Sequence, residues 1–430
     1  MPNASPPRTR CVRRWSGPLP PGNRRWSRCW SSATTPFPAA RRWGGGMCRC
    51  LPICVQNGPA TSRNGPRNNK WEDGMSPIRV AIVGCGRISD LHALGYRDVE
   101  DARIVAVCDT DRRRAQTQAR AWGVERVYTD YRQVLDDPQV DLVELLVPHD
   151  LHAAMTVAAC RAGKHVSVQK PMAHTAAEAD QMIAAAREAG VVLRVYENFV
   201  FYPPHVQAKA MLEAGEIGEP QMIRLHVSTG KSKTGWKVPL SAWAWRFDQK
   251  RCGGGPLVFD HGYHLFSLAY HLLGPVERVV AWIDRSPVMP TKYLDAPSVM
   301  MFQFKAPRRY GVMDFAHTPE MVMDSLYYND DDRVEVIGER GIIFVNRCTA
   351  KTVDLPPLML FRDGKTTAIP VERVEWHDSF VDCTRHLIEV LRHGGQPVLD
   401  GPTGKAVLQF TLAAQISARE GREVRPDEVD

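Results

Sequence analysis

The chain has 430 residues, enough for two domains with hydrophobic cores, since single domains usually run to ~100–200 residues. Its composition, 44% hydrophobic and 24% charged, is that of a globular protein, and no stretch approaches the ~18 consecutive apolar residues of a membrane-spanning helix. The net charge is +7, but residues 1–74 hold 13 Lys/Arg and 2 Asp/Glu, a balance of +11, so the remainder carries −4 and argues against a nucleic-acid partner.

The first 74 residues are rich in Arg, Trp, Pro, Gly and Ser and show no apolar periodicity. Arg13-Arg14 invites comparison with an export signal, but no apolar stretch follows, and the prolines would break the amphipathic helix of a transit peptide. Because Met75 directly precedes Ser76-Pro77 and an apolar strand, we expect Met75 to be the natural start. Residues 1–76 are therefore predicted to be a gene-model extension or a disordered tail, with targeting as a further alternative.

Cysteines are scattered singly beyond the N-terminal segment, with no C-x-x-C pair and no regular spacing. Zinc sites and disulfide frameworks both need such spacing, so the sequence predicts no metal and no disulfide network. A reducing compartment is the default for such a chain, and we expect a cytoplasmic protein without a membrane partner.

Strands and helices alternate from residue 77 to about residue 200. Strands are predicted at 78–83, 104–107, 140–147, 165–168 and 191–195, with helices at 88–96, 111–122, 151–162 and 176–189. Helices that follow strands and end at glycine are typical of βαβ units in a doubly wound parallel sheet. The fold class is therefore α/β, with an N-terminal Rossmann domain at residues 77–200.

The pattern changes after residue 200. Helices are predicted at 205–214, 257–273, 380–392 and 403–419, and a strand at 222–228 is followed by many short strands between 276 and 369. Runs of strands beside helices favour a C-terminal α+β domain, at residues 201–430, with a large, mostly antiparallel open sheet.

A nucleotide-binding pattern, G-x-G-x-x-S, lies between the first predicted strand and helix. Gly84 permits the tight turn, Gly86 lets the backbone approach a diphosphate, and Ser89 is small enough for helix and strand to pack closely. The helix N-terminus that follows offers N–H groups and a partial positive charge to phosphate. The alternative is a Rossmann-like fold that binds no nucleotide.

Asp109 ends the second predicted strand, near the offset of ~20 residues at which an acidic residue contacts the adenosine ribose. Its carboxylate would accept hydrogen bonds from the ribose hydroxyls and repel a 2′-phosphate, which favours NAD. Arg112, Arg113 and Arg114 follow closely and would suit that phosphate instead, so NADP stays open.

Two further segments carry catalytic residue types. Lys170 lies just beyond a parallel strand, at the sheet edge where ligands bind, and its charge would favour the oxyanion that develops as hydride leaves an alcohol. Asp260 and His264 are spaced i and i+4, so we expect them on one face of a single helix, with His264 as general base and Asp260 orienting it or contacting a second hydroxyl. Each residue taken alone also has a structural interpretation: Lys170 as a surface lysine, Asp260 as a helix cap and His264 as a packed histidine.

Together these segments resemble the glucose-fructose oxidoreductase/inositol dehydrogenase/rhizopine catabolism (Gfo/Idh/MocA) family. The resemblance rests on the glycine pattern, on Ala162-Gly-Lys-His-Val166 followed by Lys170-Pro171, and on Gly253-Gly-Gly-Pro-Leu-Val-Phe-Asp260-His-Gly-Tyr-His264. It implies an NAD(P)-dependent oxidoreductase acting on CH–OH groups, with Lys170, Asp260 and His264 as catalytic residues. It also implies a C-terminal domain that binds substrate and forms a homo-oligomer, a dimer or a tetramer. Gln169 departs from the glutamate usual before the lysine, and Ser267 from an aspartate often found after the histidine.

The cofactor-binding residues expected from the fingerprint and the resemblance are Gly84, Gly86, Arg87, Ile88, Asp109, Arg112, Pro148, His149, His152, Gln169 and Lys170. Aromatic side chains suit the C–H faces of sugars and flat aglycones, and the substrate residues expected are Tyr202, Trp236, Trp245, Arg246 and His261. Several of these aromatic residues also fit a hydrophobic core or a subunit interface.

The leading interpretation is a dehydrogenase that oxidises a secondary hydroxyl of a sugar, polyol or glycoside, its small-molecule partner. One alternative is a glycoside hydrolase that retains NAD and works by oxidation and elimination. Another is a non-catalytic nucleotide-sensing regulator on the same fold.

Overall fold

The computed structural model describes residues 76–237 and 240–430, and the predictions made for residues 1–75 lie outside them. The first sheet has six parallel strands in the order β3-β2-β1-β4-β5-β6, which confirms the predicted Rossmann topology. Its strands are β1 Ile78–Val83, β2 Ala102–Cys108, β3 Arg126–Tyr128, β4 Leu142–Leu145, β5 His165–Gln169 and β6 Leu193–Tyr196. Most of their apolar side chains are buried, as expected for strands covered on both faces.

Helices cover both faces of this sheet: α1 Ser89–Arg97, α2 Arg112–Trp122, α3 Tyr131–Asp136, α4 His152–Arg161 and α5 Ala176–Ala189. Local sequence sets their ends. Asp111 caps α2 by accepting from two backbone N–H groups, and Thr175 begins α5 with a capping box. Gly123 and Gly190 end these two helices in the left-handed conformation that glycine adopts without strain.

The second sheet has nine strands. Eight of them follow the order β17-β16-β14-β13-β7-β12-β11-β8, and β15 pairs with β12 outside that path. Only β7 and β12 of this path are parallel, so the sheet is mostly antiparallel, as predicted. The strands are β7 Pro220–Ser232, β8 Val276–Ile283, β11 Ser298–Phe304, β12 Tyr310–Ser325, β13 Asp330–Gly338, β14 Gly341–Val345, β15 Ala350–Lys351, β16 Leu358–Arg362 and β17 Lys365–Ala368. A separate hairpin consists of β9 Ser286–Met289 and β10 Lys292–Leu294.

The remaining helices are α6 Pro203–Glu213, α7 Leu240–Trp243, α8 Gln249–Cys252, α9 Tyr263–Leu273, α10 Trp376–His393 and α11 Gly401–Glu420. Helix α10 packs on α1 so closely that a Cβ on Gly95 would lie 2.4 Å from Thr384 Oγ1. The end of the chain thus returns to the first sheet. The division predicted at residue 200 stays a prediction.

The single helix predicted at 257–273 is wrong at its start. Residues Pro256–His261 form a wider turn, in which Asp260 N donates to Gly255 O and Gly262 N donates to Leu257 O, and α9 begins only at Tyr263. Such i→i+5 turns are rare in proteins, and those that occur are often found at functional sites. Asp260 and His264 therefore do not lie on one regular helix.

Candidate active site

The loop between β1 and α1 leaves room for a diphosphate. Gly84 has a φ of +98°, and a Cβ there would lie 2.2 Å from Leu146 O, so only glycine fits. A Cβ on Gly86 would meet no atom within 4 Å, so the space in front of it is open. Ser89 Oγ donates to Gly86 O (2.6 Å) and closes the turn at the start of α1. The loop fits a dinucleotide, whose diphosphate would meet the free N–H groups of that helix.

Asp109 braces this loop from the end of β2. One carboxylate oxygen accepts from Cys85 N (2.9 Å) and the other from Asp111 N (2.8 Å). The arginine beside it is Arg114, whose Nη1 lies 3.5 Å from Asp109 Oδ2. Arg112 is exposed in the first turn of α2 and forms no ion pair with another residue in the described part of the chain.

Of the two residues after Gly86, Arg87 is exposed and Ile88 packs against the hydrophobic core. The Arg87 guanidinium lies 4.5 Å from the centroid of the Trp236 ring, and Ile88 is half-buried directly before α1. Trp236 in turn packs edge-on against Tyr327 and Tyr328. Trp236, which the sequence predicted to contact substrate, therefore lies next to the loop between β1 and α1.

Lys170, Asp260 and Arg246 form a buried charge cluster beyond the end of β5. Lys170 Nζ donates to the carbonyl oxygen (2.8 Å) and to Oδ1 (2.7 Å) of Asp260, and Arg246 Nε donates to Oδ2 of the same carboxylate. Burial raises the pKa of Asp260, but the charges of Lys170 and Arg246 outweigh it and hold the pKa well below its usual range. Asp260 is therefore a carboxylate that fixes the ammonium of Lys170.

His149 lies behind this cluster, directly after Pro148. Its Nδ1 lies 2.8 Å from Cys252 O and its Nε2 lies 3.6 Å from Asp260 Oδ1. Trp245 packs edge-on against the His149 ring, with centroids 4.8 Å apart, and carries the Arg246 guanidinium on its face at 4.5 Å. Burial lowers the pKa of His149, so its ring is neutral at pH 7.

His264 is held by Glu197, the residue directly after β6. His264 Nδ1 lies 2.6 Å from Glu197 Oε1, and the ring stacks on Phe199 with centroids 4.1 Å apart. Nδ1 donates to the carboxylate, which leaves the lone pair on Nε2 available to accept a proton. Burial lowers the pKa of His264 to about 4 despite Glu197, so the ring is neutral at pH 7. The prediction that Asp260 orients His264 is wrong, because the carboxylate of Asp260 is taken up by the two cations.

The three predicted catalytic residues are anchored at one edge of the first sheet. Lys170 follows β5, and Glu197, the partner of His264, follows the neighbouring strand β6. Lys170 also contacts Asp260, in the turn that leads into α9, where His264 is the second residue. A hydrogen-bond donor and a neutral base are therefore held at the carboxyl ends of neighbouring strands.

His261 and the acidic residues Asp332 and Asp330 lie beside the predicted catalytic residues. His261 Nε2 lies 2.7 Å from Asp332 Oδ1, and its Nδ1 lies 3.8 Å from Asp330 Oδ2. Burial opposes the charged ring, but Asp332 and Asp330 outweigh it and raise the pKa of His261 to about 9. His261 is therefore an imidazolium at pH 7, paired with Asp332.

Two residues that the sequence predicted for the site, Tyr202 and His152, are instead fully buried. Tyr202 has no exposed surface, and its hydroxyl donates to Val374 O (2.8 Å), so it has no face to offer a substrate. His152 is also fully buried, with its ring nitrogens 2.8 Å from Pro171 O and 3.0 Å from Val147 O. Its ring joins two backbone segments, so the predicted cofactor contact is wrong.

Sequence reasoning missed Glu197, Asp332 and Tyr328. Glu197 follows a predicted parallel strand at the same sheet edge as Lys170, and this signal was sufficient to find it. Asp332 lies within the second sheet, where register alone places it opposite Val227 on β7. The half-buried Tyr328 lies near Arg246 and Asp260, whose charges act on its pKa, and no local pattern marks it.

No group of three or more His, Cys, Asp or Glu side chains within residues 76–237 and 240–430 is arranged to hold a metal ion. Among the helices that the structure describes, none has both the length and the apolar character needed to cross a membrane.

The fold and the site together define an NAD-binding oxidoreductase. Residues 78–197 match the GFO_IDH_MocA description "Oxidoreductase family, NAD-binding Rossmann fold", and residues 205–344 match the GFO/IDH/MocA C-terminal domain. The chain belongs to the GFO/IDH/MocA family, which confirms the resemblance. It is a dehydrogenase that acts on CH–OH groups and uses NAD.

The chain is similar to myo-inositol 2-dehydrogenase of Thermotoga maritima, with 29% identity over 357 residues that cover 82% of this chain and 99% of the relative. It is also similar to D-glucoside 3-dehydrogenase of Escherichia coli, with 29% identity over 359 residues, or 81% and 97% of the two chains. A solved levoglucosan dehydrogenase with NADH and levoglucosan shares the fold, with a TM-score of 0.69 at 22% identity, covering 81% of this chain and 99% of that one.

Proposed function

We propose that this dehydrogenase oxidises a secondary ring hydroxyl of a sugar, polyol or glycoside, with NAD preferred over NADP. The observation that carries the proposal is that Lys170, fixed by Asp260, and the neutral His264, held by Glu197, are anchored at the ends of neighbouring strands. Bound NAD would accept the hydride at its nicotinamide ring. Lys170 Nζ would hydrogen-bond the substrate oxygen, and His264 Nε2 would accept the hydroxyl proton.

The aromatic residues near the predicted catalytic residues favour a glycoside as substrate. Trp245 and Tyr328 provide aromatic faces beside the charged cluster, and Trp236 extends this surface toward the dinucleotide loop. Aromatic rings pack well on the C–H faces of sugars and on flat aglycones. The relative named D-glucoside 3-dehydrogenase supports this class.

A substrate panel tests both parts of the proposal. We expect NADH formation with phenyl β-D-glucoside, with kcat/KM at least ~10-fold above that for D-glucose, because burying an apolar ring contributes roughly 1.5 kcal/mol or more. Myo-inositol and NADP+ serve as comparisons. Turnover of myo-inositol alone contradicts the glycoside class, and turnover of none of these alcohols contradicts the proposal. Release of phenol without added NAD+ identifies the hydrolase alternative.

We also propose that the outer face of the second sheet forms a homo-oligomer, the state implied by the family resemblance. Trp282 on β8, Met301 on β11 and Tyr310 on β12 are 59%, 47% and 48% exposed on neighbouring strands. Contiguous exposed apolar residues on a monomer indicate an association surface.

Trp282→Glu combined with Met301→Glu should dissociate the oligomer, because each places a charge in the proposed interface. Light scattering after size exclusion should show a dimer or tetramer for the unaltered chain and a monomer for the double variant. Leu355→Glu, at a residue that is 49% exposed outside the strands, is the matched control and should leave the mass unchanged. A monomeric unaltered chain, or an unchanged mass for the double variant, contradicts the interface.

A further inference from the structure

A buried chain of hydrogen bonds runs from the backbone of Lys170 into the interior of the first domain's sheet. Gln169 Oε1 accepts from Lys170 N (2.8 Å), and Gln169 Nε2 lies 3.0 Å from His92 Nε2. His92 Nδ1 contacts Glu144 Oε1, and the Tyr96 hydroxyl contacts Glu144 Oε2. His92 and Glu144 have no exposed surface, so water cannot replace the contact between them, whereas Gln169 is half-buried.

The proton positions along this chain follow from the partners. Gln169 Oε1 is taken by the Lys170 N–H, so the amide group of Gln169 must point its NH₂ toward His92. His92 Nε2 is then an acceptor, and His92 Nδ1 carries the proton that it donates to the carboxylate of Glu144. Each donor meets one acceptor, from the Tyr96 hydroxyl to the Lys170 backbone.

A buried cation keeps Glu144 in its charged form. Glu144 on β4, Ser167 on β5 and Arg194 on β6 are aligned across three neighbouring strands, and Arg194 Nε donates to Ser167 Oγ (3.1 Å). Burial raises the pKa of Glu144, but His92 and Arg194 outweigh it and lower the pKa below its usual value. Glu144 is therefore available only as an acceptor, which fixes the direction of every bond toward Lys170.

We infer that Glu144 and His92 are positioning residues for the dehydrogenase reaction, acting through the neutral amide of Gln169 on the backbone that carries Lys170. The inference rests on the role proposed above for Lys170. A carboxylate at position 169 can only accept, so it would require His92 to donate from both nitrogens. A carboxylate at 169 combined with an amide at 144 would reverse the two bonds that His92 makes, keep those donated by Lys170 N and the Tyr96 hydroxyl, and leave none unmade.

Three variants separate this role from a merely structural one. Gln169→Met removes both hydrogen bonds and should lower kcat about 100-fold through misplacement of Lys170. Gln169→Glu should also lower kcat, because its carboxylate cannot donate to His92. Gln169→Glu combined with Glu144→Gln should recover kcat, because the amide at 144 can donate to His92 instead. NADH formation with phenyl β-D-glucoside is the measurement.

Gln409→Met is the matched control, because half-buried Gln409 donates to Val429 O (2.8 Å) at the end of the chain. It should change thermal stability without changing kcat. An unchanged kcat for Gln169→Met, or a kcat for the double variant no higher than that of Gln169→Glu, overturns the inference. If the unaltered enzyme turns over no alcohol in the panel, the proposed function fails. The positioning of Lys170 is then tested by crystal structures of the unaltered enzyme and of Gln169→Met. Gln169→Met should then separate Lys170 Nζ from Asp260 Oδ1, and retention of the 2.7 Å contact overturns the inference.

Discussion

Lys170→Met is expected to lower kcat about 10²–10³-fold while NAD+ still binds, because it removes the only proposed donor to the developing oxyanion. The variant should fold, since Asp260 keeps its second cation, Arg246. Kinetics of NADH formation, together with the Kd for NAD+ from fluorescence titration, separate the chemical step from cofactor binding.

Lys405→Met is the control for this prediction, because Lys405 also pairs with an aspartate, Asp180, at 2.6 Å but lies on α11. Its kcat should equal that of the unaltered enzyme. Lys170→Arg should not restore activity, since the planar guanidinium does not reproduce the geometry of a compact ammonium. More than about a tenth of kcat remaining in Lys170→Met refutes the role assigned to Lys170.

His264→Ala should lower kcat about 10²–10⁴-fold, the usual contribution of a positioned general base. Glu197→Gln should act in the same direction but less strongly, because the neutral amide keeps the ring in place and no longer stabilises the imidazolium that forms. Glu178→Gln alters a carboxylate in the capping box of α5 and is expected to affect stability alone. Near-normal turnover in His264→Ala would eliminate it as the base.

The pH dependence follows from the lowered pKa of His264, about 4 in the folded protein. His264 must be neutral to accept a proton, so its contribution to alcohol oxidation is present above that value and is lost as the pH falls through it. Between about pH 6 and 8 we expect kcat/KM to show no acid limb from this residue. A limb near the ordinary histidine value of ~6.5 would show that His264 is solvated in the working enzyme.

Much of the fold was predictable because its signals are local. Continuous apolar strands, helices ended by glycine and the G-x-G-x-x-S loop each depend on a few neighbouring residues, and they locate five of the six strands of the parallel sheet. The short strand β3 was not predicted. The turn at Pro256–His261 was not predictable, because its apolar residues satisfy a helical period and its wider hydrogen bonds follow from tertiary packing.

The candidate site divides in the same way. Lys170, Asp260 and His264 could be identified from motifs, and Glu197 from its place after a parallel strand. The pairing of Asp260 with Lys170 and Arg246 could not be predicted, since these side chains approach one another only after folding. The spacing of Asp260 and His264 suggested a contact that the structure replaces with two separate pairs. Tyr202 was misassigned because aromatic residues beside a cleft and in a core have the same local sequence.

The central claim is that one substrate oxygen fits between Lys170 and His264 in front of the nicotinamide. A crystal structure of the enzyme with NAD+ and phenyl β-D-glucoside measures this directly. We predict one ring oxygen within hydrogen-bond distance, about 2.6–3.2 Å, of both Lys170 Nζ and His264 Nε2, with its carbon facing C4 of the nicotinamide. A bound glucoside whose oxygens contact neither atom, or a nicotinamide that lies away from Lys170 and His264, would contradict the account.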